Sequence, residues 1–257
     1  MFDRAPSTDV GSRLYHHQEE LSTHGFTILP DILSGPEVEE LREVVDALYR
    51  LHDPRIDFEG LNIANGRPDG RPLQSAAIGR EYNFATCLLT KHSSIWPIMD
   101  REPVISLIKS VIGPHCVLSS LNSLEPLQGR GHQPLHRDEG AVGHEGFVTA
   151  NSIWVLDPMD ITNGATRLIP GTHKTAELSD DTDTRLTYAE AAPGSVVVIN
   201  AHVLHGASMN RDGRRRRVIH GYFTKRGRKL QTDFRYYGSP ASIARLPASC
   251  RSLLALD

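Results

Sequence analysis

Residues 194–223 read GSVVVINAHVLHGASMNRDGRRRRVIHGYF, and this stretch decides the fold. A run rich in β-branched residues from Ser195 ends at His205 and Gly206, Asp212 and Gly213 mark a hairpin turn, and a second β-rich run carries Arg216 and ends at Phe223. Outward from it, CVLSSLNSLE (116–125), FVTANSIWVLD (147–157) and TRLIPG (166–171) have the same texture of short β-prone runs broken by glycine and proline. Many short strands at close spacing predict an all-β sandwich or barrel. The arginine run RDGRRRR is short and opens at a turn, which fits a solvated strand edge better than a nucleic-acid patch.

Upstream the periodicity changes. SGPEVEELREVVDALYRLH, from Ser34 to His52, has a capping serine, early acids and apolar residues at Val38, Leu41, Val44, Val45 and Leu48, which predicts an amphipathic helix. Leu14 to His24 predicts a shorter helix, FTILPDIL (26–33) an edge strand stopped by its proline, and Glu102 to Ile112 a further helix ended by Gly113. Residues 53–80 are polar and rich in glycine and proline, and together with Glu139–Gly146 they are expected to cover a pocket mouth. No second core follows, so one domain is expected over 1–257: a helical buttress and lid loop in 1–112, a β core bearing the site in 113–225, and a C-terminal extension in 226–257.

Composition narrows the partners. With 28 Lys and Arg against 31 Asp and Glu, the net charge of -3 provides no positive field for nucleic acid. No run approaches the ~18 consecutive apolar residues of a membrane span, and residues 1–17 lack a basic segment followed by an apolar one. Cys87, Cys116 and Cys250 have no paired spacing. The expectation is a cytoplasmic protein, monomer or homodimer, whose partner is a small molecule and neither nucleic acid nor membrane.

His136 and Asp138 stand two apart in PLHRDEG, so in an extended segment both side chains point to one side and converge on one ion. With His205 they make two imidazoles and a carboxylate on one face of an octahedron, leaving three positions open, which suits iron(II) binding a co-substrate and dioxygen. Arg216 follows His205 by eleven residues. A hairpin would set the histidine beside the first pair and the guanidinium deeper in the barrel, where it binds a carboxylate in bidentate fashion at a distance that suits a five-carbon diacid. Other residues compete. His132 lies four before His136, but Pro134 interrupts a helix between them. His202 has the opposite parity to His205 and is expected to be structural or solvent-facing, whereas His220 shares parity with Arg216 and Tyr222 and reads first as a satisfied core histidine, with a contact in the barrel interior as the alternative. Arg214, Arg215 and Arg217 remain alternative anchors, and Trp154, a lone tryptophan in an apolar strand, reads first as core.

His136-Arg137-Asp138, NGATRLIPGTHK from Asn163 to Lys174, HGASMN from His205 to Asn210, and Arg216 together resemble the phytanoyl-CoA dioxygenase family of iron(II) and 2-oxoglutarate-dependent oxygenases, in order and spacing over residues 20–225. The resemblance implies a mainly β fold, with a double-stranded β-helix (jelly-roll, cupin-like) core and flanking N-terminal α-helices. It implies iron(II) on His136, Asp138 and His205, dioxygen as co-substrate, and Arg216, selected by family spacing, on the distal carboxylate of 2-oxoglutarate. By the same resemblance Trp154 lines the co-substrate pocket and His173 fixes a loop. Ala207 departs from the family, which often has a small hydroxyl residue there. The implied function is a dioxygenase that oxidises a C–H bond of a small molecule, a specialised metabolite, by hydroxylation, desaturation or cyclisation, releasing succinate and carbon dioxide. Two alternatives stay open: a metal-dependent cupin-type enzyme that does not use 2-oxoglutarate, and a catalytically silent ligand-binding barrel.

Overall fold

The short β-prone runs become two antiparallel sheets in the computed structural model, which describes residues 10–51, 81–86, 88–140, 142–176, 178–232, 234–237 and 240–256. The lid expected over 53–80, and Cys87, lie outside the described residues. The strands are β1 (Phe26–Leu29), β2 (Tyr82–Ala85), β3 (Cys116–Pro126), β4 (Thr149–Val155), β5 (Thr166–Ile169), β6 (Thr187–Ala189), β7 (Val196–Asn200), β8 (Leu204–Ala207) and β9 (Val218–Lys225). The larger sheet runs β1-β7-β4-β9-β3-β2 and the smaller β6-β5-β8. As expected, β1 is an edge strand that ends before Pro30.

Each face of the larger sheet is buried against a different partner. Trp154, Val196, Val198, Ile219 and Phe223 point to helices α1 (Val10–His24), α2 (Gly35–Leu51) and α3 (Val104–Ile112), in one apolar cluster with Val38, Leu41, Val45, Leu107 and Ile108. Ile153, Val155, Val197, Ile199 and Val218, at the alternate positions, point to the smaller sheet and pack with Leu168 and Ala189. Each such side chain contributes about 1.5–3 kcal/mol when fully buried, and a one-residue slip would send both sets to the wrong side. Leu246, Cys250, Leu253 and Leu254, from two of the short C-terminal helices, α5 (Pro240–Arg245) with its following residue and α6 (Ala248–Leu253), join the helix-side cluster; α4 is Phe234–Tyr237.

The run SVVVINAHVLH is two strands, not one. The Asn200 side chain accepts from the His202 N–H at 3.1 Å and its carbonyl from the Val203 N–H at 2.9 Å, closing a turn that hands the chain from the larger sheet to the smaller. The α1 helix begins four residues earlier than the sequence indicates, and α3 starts at Val104 after Pro103.

At the start of α2 the Ser34 backbone N–H and hydroxyl both donate to Glu37 at 2.8 Å, and Arg101 pairs with the other carboxylate oxygen. The Ser34 backbone hydrogen bond, then Arg101 and the Ser34 hydroxyl, hold the Glu37 carboxyl well down, at about 2. Glu37→Ala is expected to cost about 1 kcal/mol. Because the folded-state value is depressed, that contribution is complete above the ordinary carboxylate range and fades as pH falls toward 2. Urea unfolding of parent and variant at pH 7 and pH 3 checks it: the gap between them narrows at the lower pH.

Candidate active site

The site forms where the smaller sheet meets a loop. A side chain at Gly206 on β8 would meet the carbonyl oxygens of Gln133 and Pro134 at 2.6 and 2.9 Å, so glycine there lets residues 133–138 lie flat against the strand. The two segments join at an isolated bridge in which the His136 N–H donates to the His205 carbonyl at 2.8 Å and the His205 N–H to the His136 carbonyl at 2.9 Å. The Asp138 N–H donates to Ala201 at 3.1 Å. A single bridge, rather than the strand expected through His136, therefore brings the three side chains together.

Hydrogen bonds fix which nitrogens face inward. His136 Nδ1 donates to the Pro134 carbonyl and His205 Nδ1 to the Val203 carbonyl, each at 2.9 Å. A carbonyl only accepts, so Nδ1 carries the proton and Nε2 keeps its lone pair. Those Nε2 atoms lie 3.5 Å (His136) and 3.7 Å (His205) from the two Asp138 oxygens, and the three donor atoms fall within 4.8 Å of one another. Donors about 2.1 Å from one cation at right angles sit about 3 Å apart, so a small inward shift completes the coordination. Asn151 on β4 donates its amide to Asp138 at 2.7 Å.

Burial works to raise the Asp138 carboxyl, but in the metal-free site the protonated forms of His205 and His136, together with the hydrogen bond from Asn151, outweigh it and keep the carboxylate ionised. Burial pushes His205 down, toward the neutral form that binds metal, while contact with Asp138 pushes His136 up. Because Asn151 fixes the carboxylate, Asn151→Ala is expected to weaken iron(II) binding about tenfold, measured by anaerobic titration.

Arg216 lines the same cavity, of about 210 Å³. It precedes β9 by two residues instead of lying within a strand, and no β8–β9 hairpin carries it: β8 pairs with β5, β9 pairs with β3 and β4, and residues 208–217 cross between the sheets. The guanidinium is buried, its Nε has no partner, and among the described residues no carboxylate pairs with it. Its neighbours are all paired: Arg214 with Asp160 and Asp212, Arg215 with Asp46 and Glu125, Arg217 with Asp46 and Asp157. The solvated edge expected of this run holds for Arg211, Arg214 and Arg215, which are exposed, but not for Arg216 and Arg217, which are buried, and the segment precedes the strand. An unpartnered buried cation is costly unless an anion arrives, and that is the fit a dicarboxylate co-substrate requires.

Trp154 stands apart. It alternates with Asn151 and Ile153, which line the cavity, and so points the other way, into the helix-side core, with its indole N–H donating to Ser152 at 3.0 Å. His173 donates from Nε2 to the Ser22 carbonyl and His202 is held between Val148 and Gly140, both structural, and His220 lines the cavity. Burial pushes His220 down to about 4. Asn163 and Asn210 are bridge partners that pin the loops behind β8. Asn151, Tyr82 and Gln133 also line the cavity and escaped the sequence reading. For Asn151 the signal was an amide side chain within a strand buried along its whole length.

Among relatives, the chain is 27% identical over 224 residues to the dioxygenase af480 of Aspergillus fumigatus, covering 84% of this chain and 68% of that protein. It is 34% identical over 197 residues to the iron/alpha-ketoglutarate-dependent dioxygenase penM of Penicillium thymicola, covering 72% and 60%. In fold it is similar to the alpha-ketoglutarate-dependent epimerase SnoN of nogalamycin biosynthesis (TM-score 0.64, 13% identity, 84% of each chain). It is equally similar to HygX of Streptomyces hygroscopicus, solved with nickel and 2-oxoglutarate bound (TM-score 0.64, 12% identity, 84% of this chain and 88% of that one). Taken with the two sheets and the donor set between them, these relatives define the class: a non-haem iron and 2-oxoglutarate-dependent dioxygenase. Residues 21–218 match the phytanoyl-CoA dioxygenase (PhyH) family, and the chain belongs to that family.

Proposed function

We propose that His136, Asp138 and His205 hold the iron, that Arg216 receives the distal carboxylate of 2-oxoglutarate, and that the enzyme oxidises a C–H bond of an uncharged small molecule, a specialised metabolite. The observation that carries this is the Arg216 guanidinium, which among the described residues is the one of the four in 214–217 without a carboxylate, buried in the cavity that the metal-binding cluster shares. When bound, iron(II) with 2-oxoglutarate and dioxygen supplies the oxidation, yielding succinate and carbon dioxide as the substrate is hydroxylated, desaturated or cyclised.

The chain's own part is to bind and orient. Leu124 and Val218 are cross-strand neighbours at the Arg216 end, and with Ala207 they supply an apolar passage suited to the methylenes of a diacid. The next row is Asn122, His220 and Ile153, and the last, beside Asp138, is Ser120, Tyr222 and Asn151 with Ile199 next to it. The wall thus grows polar toward the metal-binding cluster without gaining charge. A charged substrate would lose hydration there without a partner. Glu139 accepts from Tyr222 at 2.8 Å and pairs with Arg228 at 2.8 Å, tethering one end of the 139–146 segment beside the opening. HygX, of the same fold, is solved with hygromycin B bound, which supports a small-molecule substrate here. Among the described residues no helix is long and apolar enough to cross a membrane.

Succinate formation from 2-oxoglutarate in air with iron(II) and ascorbate tests the proposal. Parent enzyme is expected to produce succinate slowly even without its substrate. Iron binding without measurable 2-oxoglutarate affinity would move the assignment to a cupin-type enzyme that does not use this co-substrate.

A further inference from the structure

The paired arginines on either side of Arg216 do more than spare it a partner. Arg215 donates from Nε and Nη2 to Glu125 at 2.6 and 2.9 Å, and from Nη1 and Nη2 to Asp46 at 3.0 and 2.8 Å. Arg217 donates from its backbone N–H and Nε to one Asp157 oxygen at 2.9 and 2.7 Å, from Nη2 to the other at 2.7 Å, and from Nη1 to Asp46 at 2.9 Å. Arg42 closes the cluster on Asp157 at 3.3 Å and on the Leu156 carbonyl at 2.8 Å. Three guanidiniums (Arg42, Arg215, Arg217) thus share Asp46, Glu125 and Asp157, and Arg42 also pairs with the exposed Glu39 at 3.0 Å, so both arginines that flank Arg216 are held by carboxylates on the far side from the cavity.

Asp46 occupies a particular place in this cluster. It sits on α2, and among the described residues it is the carboxylate that contacts both neighbours of Arg216. Burial works against its charge, but Arg215 and Arg217 prevail and keep it ionised. Arg215 and Arg217 are drawn toward α2 while Arg216 lines the cavity on the other side. Because neighbouring side chains on an irregular segment have no sheet to fix their direction, the two outer pairs take over that task.

We propose that Asp46, seconded by Glu125 and Asp157, is a positioning residue for the co-substrate: clamping Arg215 and Arg217 against α2 keeps Arg216 aimed into the cavity at the distal carboxylate of 2-oxoglutarate. This rests on Arg216 being the anchor. Helix α2 thereby becomes part of co-substrate recognition without touching the ligand.

Anaerobic titration of 2-oxoglutarate into iron(II)-loaded enzyme, with succinate kinetics, tests the clamp on parent, Asp46→Asn, Asp46→Glu, Glu37→Ala and Arg216→Ala. Asp46→Asn is expected to weaken 2-oxoglutarate binding and raise its KM about tenfold, leave kcat at saturating co-substrate within about twofold, and be partly restored by Asp46→Glu. Glu37→Ala, a destabilising change on the same helix, leaves 2-oxoglutarate affinity at the parent value. If Asp46→Asn does not fold, Glu125→Gln takes its place with the same expectation. Unchanged 2-oxoglutarate affinity in the clamp variant, or equal losses in it and in Glu37→Ala, would overturn the proposal. A failure of the anchor itself shows differently, as Arg216→Ala binding 2-oxoglutarate like the parent.

Discussion

Replacing Asp138 with alanine is expected to weaken iron(II) binding by more than about 100-fold and to abolish succinate formation, because a direct ligand costs more than the 10–100-fold typical of its supporting partners. Asp138 is the carboxylate in the cluster, and its two oxygens face the Nε2 atoms of His136 and His205. Without it, two neutral imidazoles remain, too few to keep iron against water and buffer. The fold is expected to persist, since His136 and His205 stay linked through their backbone bridge. Anaerobic iron titration together with circular dichroism separates loss of metal from loss of fold. A variant that keeps parental iron affinity would place the metal elsewhere.

Arg216→Ala is expected to behave in the opposite way toward stability. Losing a buried charged partner costs about 2–5 kcal/mol of binding, so 2-oxoglutarate affinity should fall by about 30-fold or more. In the absence of ligand, however, the variant removes a buried guanidinium whose charge is disfavoured by its burial. Its thermal midpoint without co-substrate should equal or exceed that of the parent, since an uncompensated buried charge opposes folding. Parent enzyme should then gain more from added 2-oxoglutarate than the variant does. A variant that is markedly less stable without ligand, with unchanged 2-oxoglutarate affinity, would make Arg216 a structural residue.

Much of the fold was legible because burial writes its period into the chain. Val196 to Asn200 and Thr149 to Val155 are buried on both faces and read as continuous β-prone runs, and α2 carries its apolar stripe at helical spacing. The break at Asn200 was hidden because AHVLH remains β-prone, and only the side-chain turn at Asn200 ends the strand. His136, Asp138 and His205 were legible through spacing and resemblance, although the bridge that unites them depends on the bare backbone of Gly206. The choice of Arg216 among four arginines could not come from local sequence. The carboxylates that occupy Arg215 lie 90 and 169 residues away in the chain, and the Asp157 that occupies Arg217 lies 60 away. Trp154 shows the converse: its place relative to Asp138 resembles the family, yet strand parity turns it into the core.

Crystals grown without oxygen, with iron(II) and 2-oxoglutarate, test the central claim most directly through anomalous scattering at the iron edge. The account predicts iron bonded to His136 Nε2, His205 Nε2 and Asp138, with 2-oxoglutarate reaching from it to the Arg216 guanidinium. Iron bound at other side chains, or 2-oxoglutarate held with its distal carboxylate away from Arg216, would contradict it.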